Sequence, residues 1–371
     1  MNLYPQLIID ALRKVRYPGS GTDIVSLGMV EALRIEGNKV SFALRFAKHN
    51  DPFHKSVLKA AEQAVLTYVS PEIDVKGNVT ALFPEEKPAP EAEKPLQGVK
   101  NTIAVFSGKG GVGKSTVTAN LAVALSLLGY KVGVLDADVY GPSMPKMFGC
   151  EDARPVAEEI EGRELIVPIE VFNGIKLLSL GFFTDPDKAL IWRGSMASNA
   201  ISQLITQANW GELDFLLIDM PPGTGDIHLT AVQTIALTGI VMVTTPQEVA
   251  LADARKGIDL FTNEKIAVPI LGIVENMAWF TPAELPQNRY YIFGKGGGAR
   301  LADQLGLPLL AQLPIVESIC SSGDDGLPIA ARTEGVLSLY FNNFAHAVVD
   351  ACRKRNSSIP PTKKVETRRQ A

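Results

Sequence analysis

Cysteine is scarce in this chain of 371 residues: Cys150, Cys320 and Cys352 stand far apart and form no C-x-x-C pair. That excludes a disulfide scaffold and the ordinary zinc folds, and it fits a reducing compartment. No run approaches the roughly 18 apolar residues of a membrane span. The N-terminus, Met1-Asn2-Leu3-Tyr4-Pro5, lacks a charged start and a long apolar region. The expectation is a cytoplasmic protein with no membrane partner. Neither sign of charge is in excess, since 36 Lys and Arg face 40 Asp and Glu for a formal net charge of -4. This disfavours a surface built to hold nucleic acid. What the chain does have is apolar content, 46% against 20% charged, enough for one large core or two unequal ones. A disordered or fibrous chain is excluded.

Proline and charge alternate through Phe83-Pro84-Glu85-Glu86-Lys87-Pro88-Ala89-Pro90-Glu91-Ala92-Glu93-Lys94-Pro95, a stretch that can neither pack nor continue a helix. The spacing predicts a small α+β unit at 1–83 and a linker at 84–98. In the small unit, Leu3 to Val15 and Lys55 to Val69 show helical spacing, and Lys39 to Phe46 alternates as a strand. From 99 to 352, short apolar strands at Thr102–Ser107, Lys131–Asp136, Phe215–Ile218, Ile240–Thr244 and Ile270–Val274 alternate with helical segments. That rhythm predicts an α/β fold with a doubly wound, mostly parallel sheet. The stretch 353–371 carries seven basic residues and one acidic residue, so it reads as a basic, solvated tail.

Directly after the first strand of the large unit comes Gly108-Lys109-Gly110-Gly111-Val112-Gly113-Lys114-Ser115, a full match to G-x-x-x-x-G-K-[ST]. Glycines let backbone N–H groups turn inward onto phosphate oxygens, and the following helix adds its positive end. ATP with Mg²⁺ is the ligand this predicts. Lys114 reaches the β and γ phosphates, Ser115 gives a hydroxyl to Mg²⁺, and Thr116 bonds the α phosphate. Leu216-Leu217-Ile218-Asp219 ends in the carboxylate such a metal needs, ahead of the proline- and glycine-rich loop Met220 to Asp226. Of the acidic pair closing the second strand, Asp138 is a candidate to orient the attacking water and Asp136 a candidate for a structural role. A plain strand-terminal turn is the alternative for both. Lys109 is a second lysine inside the phosphate loop, and its use is expected on charge that develops during hydrolysis.

The loop Lys109 to Ser115 resembles the deviant Walker A of the MinD, ParA, nitrogenase iron protein and arsenite ATPase group. In that group the first lysine reaches the nucleotide of a partner subunit, so the resemblance implies a P-loop NTPase homodimer. Leu135 to Ser143, Asp219 to Asp226, Glu275-Asn276-Met277 and Phe293-Gly294-Lys295-Gly296-Gly297-Gly298 further resemble the Mrp (ApbC-type) iron–sulfur cluster carrier ATPases. Asp23 to Val30 is similar to the iron–sulfur-assembly domain often fused ahead of them; by residues alone it is a turn entering an apolar segment. The resemblance implies switch segments around Asp138 and Asp219–Asp226, Asn276 near the adenine, a [4Fe–4S] cluster, and apoprotein recipients or assembly factors as partners.

One departure weighs against that picture. The family usually carries C-x-x-C between Glu-Asn-Met and the glycine loop, giving one bridging cluster four thiolates from two subunits. Here Ala278 to Ile292 has no cysteine. Cys320, beside turn-forming residues, is the remaining thiolate candidate, with an inert thiol as the alternative. His54 is a ligand candidate only by position. Two other functions stay open: an ATP-gated assembly chaperone or scaffold without its own cluster, and a positional switch like MinD or ParA. Against the second, Ser357 to Pro361 cannot form an amphipathic terminal helix, and the chain ahead of its tail carries -10.

Overall fold

The computed structural model describes residues 3–18, 20–47, 51, 53–83, 96, 98–139, 141–160, 162–183, 194–282, 284–285, 287–332 and 335–362. The linker residues 84–95 and 97, Asn50 and Pro52 beside His54, Tyr140, Ala283 and Pro286, and the tail from 363 lie outside them. The chain divides into two compact units, Met1–Glu93 and Lys94–Ala371.

The first unit holds α1 (Pro5–Leu12), β1 (Val30–Glu36), β2 (Lys39–Arg45), α2 (His54–Tyr68) and β3 (Val79–Leu82). β2 is central, antiparallel to β1 and parallel to β3. Val40, Phe42 and Leu44, on one face of β2, are buried with Ile8 and Leu12 of α1 and Val57, Ala61 and Val65 of α2 in one core, and Ala43 on the other face is buried too. Of the segment Asp23 to Val30, the residues up to Met29 turn around Ile24, which is fully buried, and Val30 starts β1.

The second unit runs β4 (Val99–Phe106), α3 (Lys114–Leu127), β5 (Val132–Asp136), α4 (Met144–Met147), β6 (Ala157–Ile160), β7 (Arg163–Ile166), β8 (Ile169–Val171), β9 (Ile175–Ser179), α5 (Gly194–Thr206), β10 (Leu213–Asp219), α6 (Asp226–Thr234), β11 (Gly239–Thr244), α7 (Glu248–Thr262), β12 (Ile270–Glu275), α8 (Gly297–Leu305), β13 (Leu309–Gln312), α9 (Glu317–Asp324) and α10 (Val336–Ser358). Among the described residues eight strands form one sheet in the order β13-β12-β11-β4-β10-β5-β9-β8, parallel throughout except β8 against β9 at the edge. β6 and β7 make a separate antiparallel hairpin. Successive residues of β4 feed opposite cores. Ile103 and Val105 meet Leu121, Leu125, Phe344 and Val348 of α3 and α10, whereas Ala104 and Phe106 meet Ile201, Ile258 and Phe261 of α5 and α7. Burial on both faces is why these strands read as continuous apolar runs.

The chain leaves β4 towards β5, returns through β10 between them, and crosses to β11 on the other side of β4. The carboxyl ends of β4, β10 and β11 therefore border a topological switch point, where open α/β sheets bind ligands. One boundary is corrected. The expected tail began at 353, but α10 continues to Ser358. Arg355 is the reason: only 9% exposed, it donates to the Pro360 carbonyl at 3.1 Å and the Thr362 hydroxyl at 2.6 Å. This one basic residue closes the helix end, while Arg353 and Lys354 stay exposed.

Candidate functional site

The phosphate loop begins where β4 ends. At Gly108 a β-carbon would stand 2.3 Å from the backbone carbon and oxygen of Asp253 in α7, an approach only glycine permits. Gly113 ends the loop as the N-cap of α3 with φ +81, and a β-carbon there would lie 2.3 Å from the Asn276 side-chain nitrogen. Helical spacing then sets Lys114, Ser115 and Thr118 on the face of α3 that meets the end of β10.

Asp219 is the hub of that face and is fully buried. Its Oδ2 accepts from Lys114 Nζ at 2.5 Å and Ser115 Oγ at 2.6 Å, and its Oδ1 accepts from Thr118 Oγ1 at 2.7 Å. A carboxylate taken out of water needs such partners. Lys114 Nζ also lies 3.9 Å from Asp138 Oδ2. Thus Lys114, Ser115, Asp138 and Asp219, drawn from three separate segments, share one cluster. Thr118 belongs to it and was not singled out by sequence; its place four residues after Lys114 was the available signal.

The carboxylate one strand over behaves differently. Asp136, also fully buried, accepts from the backbone of Asp138, Ser143 and Met144 and from Ser179 Oγ, all at 3.0–3.1 Å. It shapes the chain from Asp138 into α4. Burial, then the nearby Asp219 charge, push its pKa up to about 7.

The remaining candidates disperse by role. Lys109 is exposed and has no hydrogen bond or ion pair among the described residues. Thr116 is half-buried, its carbonyl accepting from Asn120 Nδ2 at 2.8 Å. Asn276 is buried and donates to the Val112 carbonyl at 2.8 Å, so here its amide braces the phosphate loop. His228, in α6, also went unnoticed in the sequence. It is 2% exposed, and its ring touches both ends of the loop after Asp219.

Thiol chemistry is sparse by comparison. Burial pushes Cys150 up to about 11 and Cys352 up to about 12. Cys320 is exposed on α9, its thiol 3.9 Å from Asp324 Oδ2. Among the described residues no group of three or more His, Cys, Asp or Glu side chains could hold a metal ion. Where C-x-x-C was expected from the resemblance, Phe280 pairs with Tyr290, and the Arg289 guanidinium lies 4.5 Å over the Trp279 ring. His54 is engaged locally, donating through Nδ1 to the Asp51 carbonyl at 2.7 Å with its ring against Phe46 and Phe83.

Comparison with known proteins adds the lineage. Residues 98–349 match the family described as NUBPL iron-transfer P-loop NTPase. The chain belongs to this family. Residues 5–76 match a second family, described as iron-sulfur cluster assembly protein. The chain is 44% identical over 324 residues to the iron-sulfur cluster carrier protein of Synechocystis sp., covering 87% of this chain and 90% of that one. It is 43% identical over 359 residues to the chloroplastic Fe-S cluster assembly factor HCF101 of Oryza sativa subsp. japonica, covering 95% of this chain and 65% of that one. A solved structure, a nucleotide-binding protein in complex with ADP from Archaeoglobus fulgidus, is similar at 37% identity and a TM-score of 0.57, covering 67% of this chain and 95% of that one. No helix among the described residues is long and apolar enough to cross a membrane.

Proposed function

We propose that this chain is a homodimeric, Mg²⁺-dependent ATPase of the cytoplasm that binds iron–sulfur clusters and transfers them to apoproteins. The observation that carries the ATPase half is the buried Asp219 carboxylate bonded to Lys114, Ser115 and Thr118 directly beneath the glycine loop. A hydroxyl and a carboxylate oxygen 2.6 Å apart, Ser115 Oγ and Asp219 Oδ2, are hard donors that suit Mg²⁺. Bound Mg²⁺ would neutralise charge on the β and γ phosphates. The backbone of Gly108 to Gly113 cradles the phosphates, Thr116 takes the α phosphate, and Asn276 closes the nucleotide end. Lys114, here on Asp219, would hold the phosphate oxygens of ATP, and Asp219 with Ser115 would hold the metal. Asp138, beside Lys114, orients the attacking water. Lys109, exposed and unpaired among the described residues, serves the partner subunit's nucleotide as charge builds in the transition state.

The cluster is cargo, and its half of the reading rests on family membership. The cysteines of one chain do not fit a four-thiolate site, and one Cys320 from each of two protomers is half a set. No transfer step is therefore derived through named ligands. The test is anaerobic purification and reconstitution with iron and sulfide counting, visible absorption, and ATP-dependent transfer to an apoprotein. Stoichiometric cluster and transfer support the carrier reading, and Cys320→Ser then shows whether that thiol is a ligand. A cluster-free, nucleotide-competent dimer that transfers nothing overturns it. The aromatic segment in place of C-x-x-C favours a second reading, an ATP-gated assembly scaffold without its own cluster. Iron-independent capture of an apoprotein in ATP would distinguish it.

A further inference from the structure

The loop Pro221 to Gly225 joins Asp219 to α6, and its shape is set from inside. His228 Nε2 lies 2.9 Å from the Pro221 carbonyl, an acceptor, so Nε2 carries a proton. Nδ1 lies 3.1 Å from the Gly225 backbone nitrogen and, in the neutral ring, accepts its N–H. One imidazole thus ties the first residue of the loop to the last. At the third position of α6 it does for the helix cap what Glu or Gln does in a capping box, and its second nitrogen adds the link to Pro221.

The ring is clamped in turn. It meets Phe106 edge-on at 5.0 Å between centroids, and Phe106 meets Phe261 of α7 the same way at 5.0 Å. Phe106 is the last residue of β4, two positions before the glycine loop begins. The His228 loop is fastened to the same strand end, because Gly223 N–H donates to the Ser107 carbonyl at 3.1 Å. It also lies against the phosphate loop itself, where a β-carbon on Gly110 would meet Pro222 at 3.9 Å. A helix cap alone would need only the Gly225 bond. The Pro221 bond and the Phe106 contact serve the loop and its seat on the phosphate loop.

We propose that His228 is a positioning residue: a two-ended latch that holds the Pro221–Gly225 loop against the phosphate loop and sets where its Gly223 and Gly225 amides stand when a terminal phosphate arrives. It rests on the ATPase reading only for the direction of its effect on turnover. Loosening the latch leaves the nucleotide cradle of Gly108 to Ser115 intact and misplaces groups used during hydrolysis, so kcat falls while affinity stays.

The test uses the full chain and three variants. His228→Asn keeps an acceptor near Nδ1 for Gly225, His228→Gln keeps a donor near Nε2 for Pro221, and His228→Phe keeps the ring packing and neither bond. Amide hydrogen exchange at Gly223 and Gly225, kcat and KM for ATP, analogue affinity and thermal midpoint are measured for each. In His228→Phe the two amides exchange at least about tenfold faster and kcat drops about tenfold or more, with analogue affinity within about twofold. His228→Asn and His228→Gln each recover part of the loss. Exchange unchanged in all three variants overturns the latch, as does a kcat loss that merely follows the thermal midpoint. If wild-type protein hydrolyses no ATP, the ATPase reading fails, and the exchange measurement alone still decides whether His228 holds the loop.

Discussion

Strand β10 carries an aspartate near each end, and the two could hardly differ more. Asp214, at the amino end, has a side chain 22% exposed; Lys100 Nζ binds its Oδ1 at 2.7 Å and the Lys131 backbone N–H its Oδ2 at 2.8 Å. Its own carbonyl accepts from Asn101 Nδ2 at 3.0 Å, so it stitches β4 and the entry to β5 onto β10. Asp219, at the carboxyl end, is fully buried and bonded to a lysine and two hydroxyls of the phosphate-loop helix. The first arrangement is what an edge in contact with water tolerates cheaply. The second carries a large desolvation cost that an apolar residue would avoid, and such clusters persist where exchange of partners is useful. Residue type alone separates nothing here; burial and the identity of the partner do.

The sharpest way to break that contrast is to remove the cation from the buried end. Lys114→Ala is expected to abolish nucleotide binding, read by calorimetry, and to cost about 3–5 kcal/mol of stability because Asp219 is left buried without its countercharge. Next is Lys109→Ala, which touches neither aspartate. Nucleotide binding should stay within a few-fold while hydrolysis falls about a hundredfold or more, with loss of the ATP-dependent dimer in sizing experiments. Hydrolysis at the wild-type rate would show that Lys109 serves no partner site. Gly108→Ala tests the cradle without changing charge; its β-carbon meets unyielding backbone of Asp253, and denaturant unfolding should register a loss of about 1–3 kcal/mol.

The smallest effect belongs to the exposed end. Asp214→Asn should cost no more than about 1 kcal/mol, since Lys100 is 69% exposed and solvent screens the pair. Its pH dependence is the more telling signature. The Lys100 hydrogen bond, with the Lys131 N–H, holds the Asp214 carboxyl below its ordinary range. The stabilisation is therefore complete above the unfolded carboxylate pKa of about 3.9 and is lost as pH falls through the lower folded value. Unfolding titrations of the wild type should show that acid-side loss, and Asp214→Asn should lack its share.

How far the sequence could be read follows the range of the signal. The phosphate loop is contiguous, and its glycines, lysine and serine spell the motif by spacing alone. The five central strands were visible because each carries an unbroken apolar run. β8 pairing antiparallel at the sheet edge and the β6–β7 hairpin were not visible, since they are short and partly exposed and carry little pattern. Ser357 and Ser358 read as tail but lie in a helix, because Arg355 finds its acceptors only after the chain doubles back to Pro360 and Thr362. His228 looked like an ordinary polar residue of a helix, as its two partners are loop backbone atoms that no side-chain pattern announces.

Taken alone, the order of residues determined the phosphate-loop motif, the alternation of strand and helix, and the want of thiols between Asn276 and Phe293, because each of these is written in neighbours along the chain. The folded molecule decided the rest: which carboxylate meets the lysine, which one shapes a turn, and which imidazole bonds both ends of the loop after Asp219. Those outcomes depend on what the sheet order brings within 3 Å and hides from water, and sequence distance carries no measure of either.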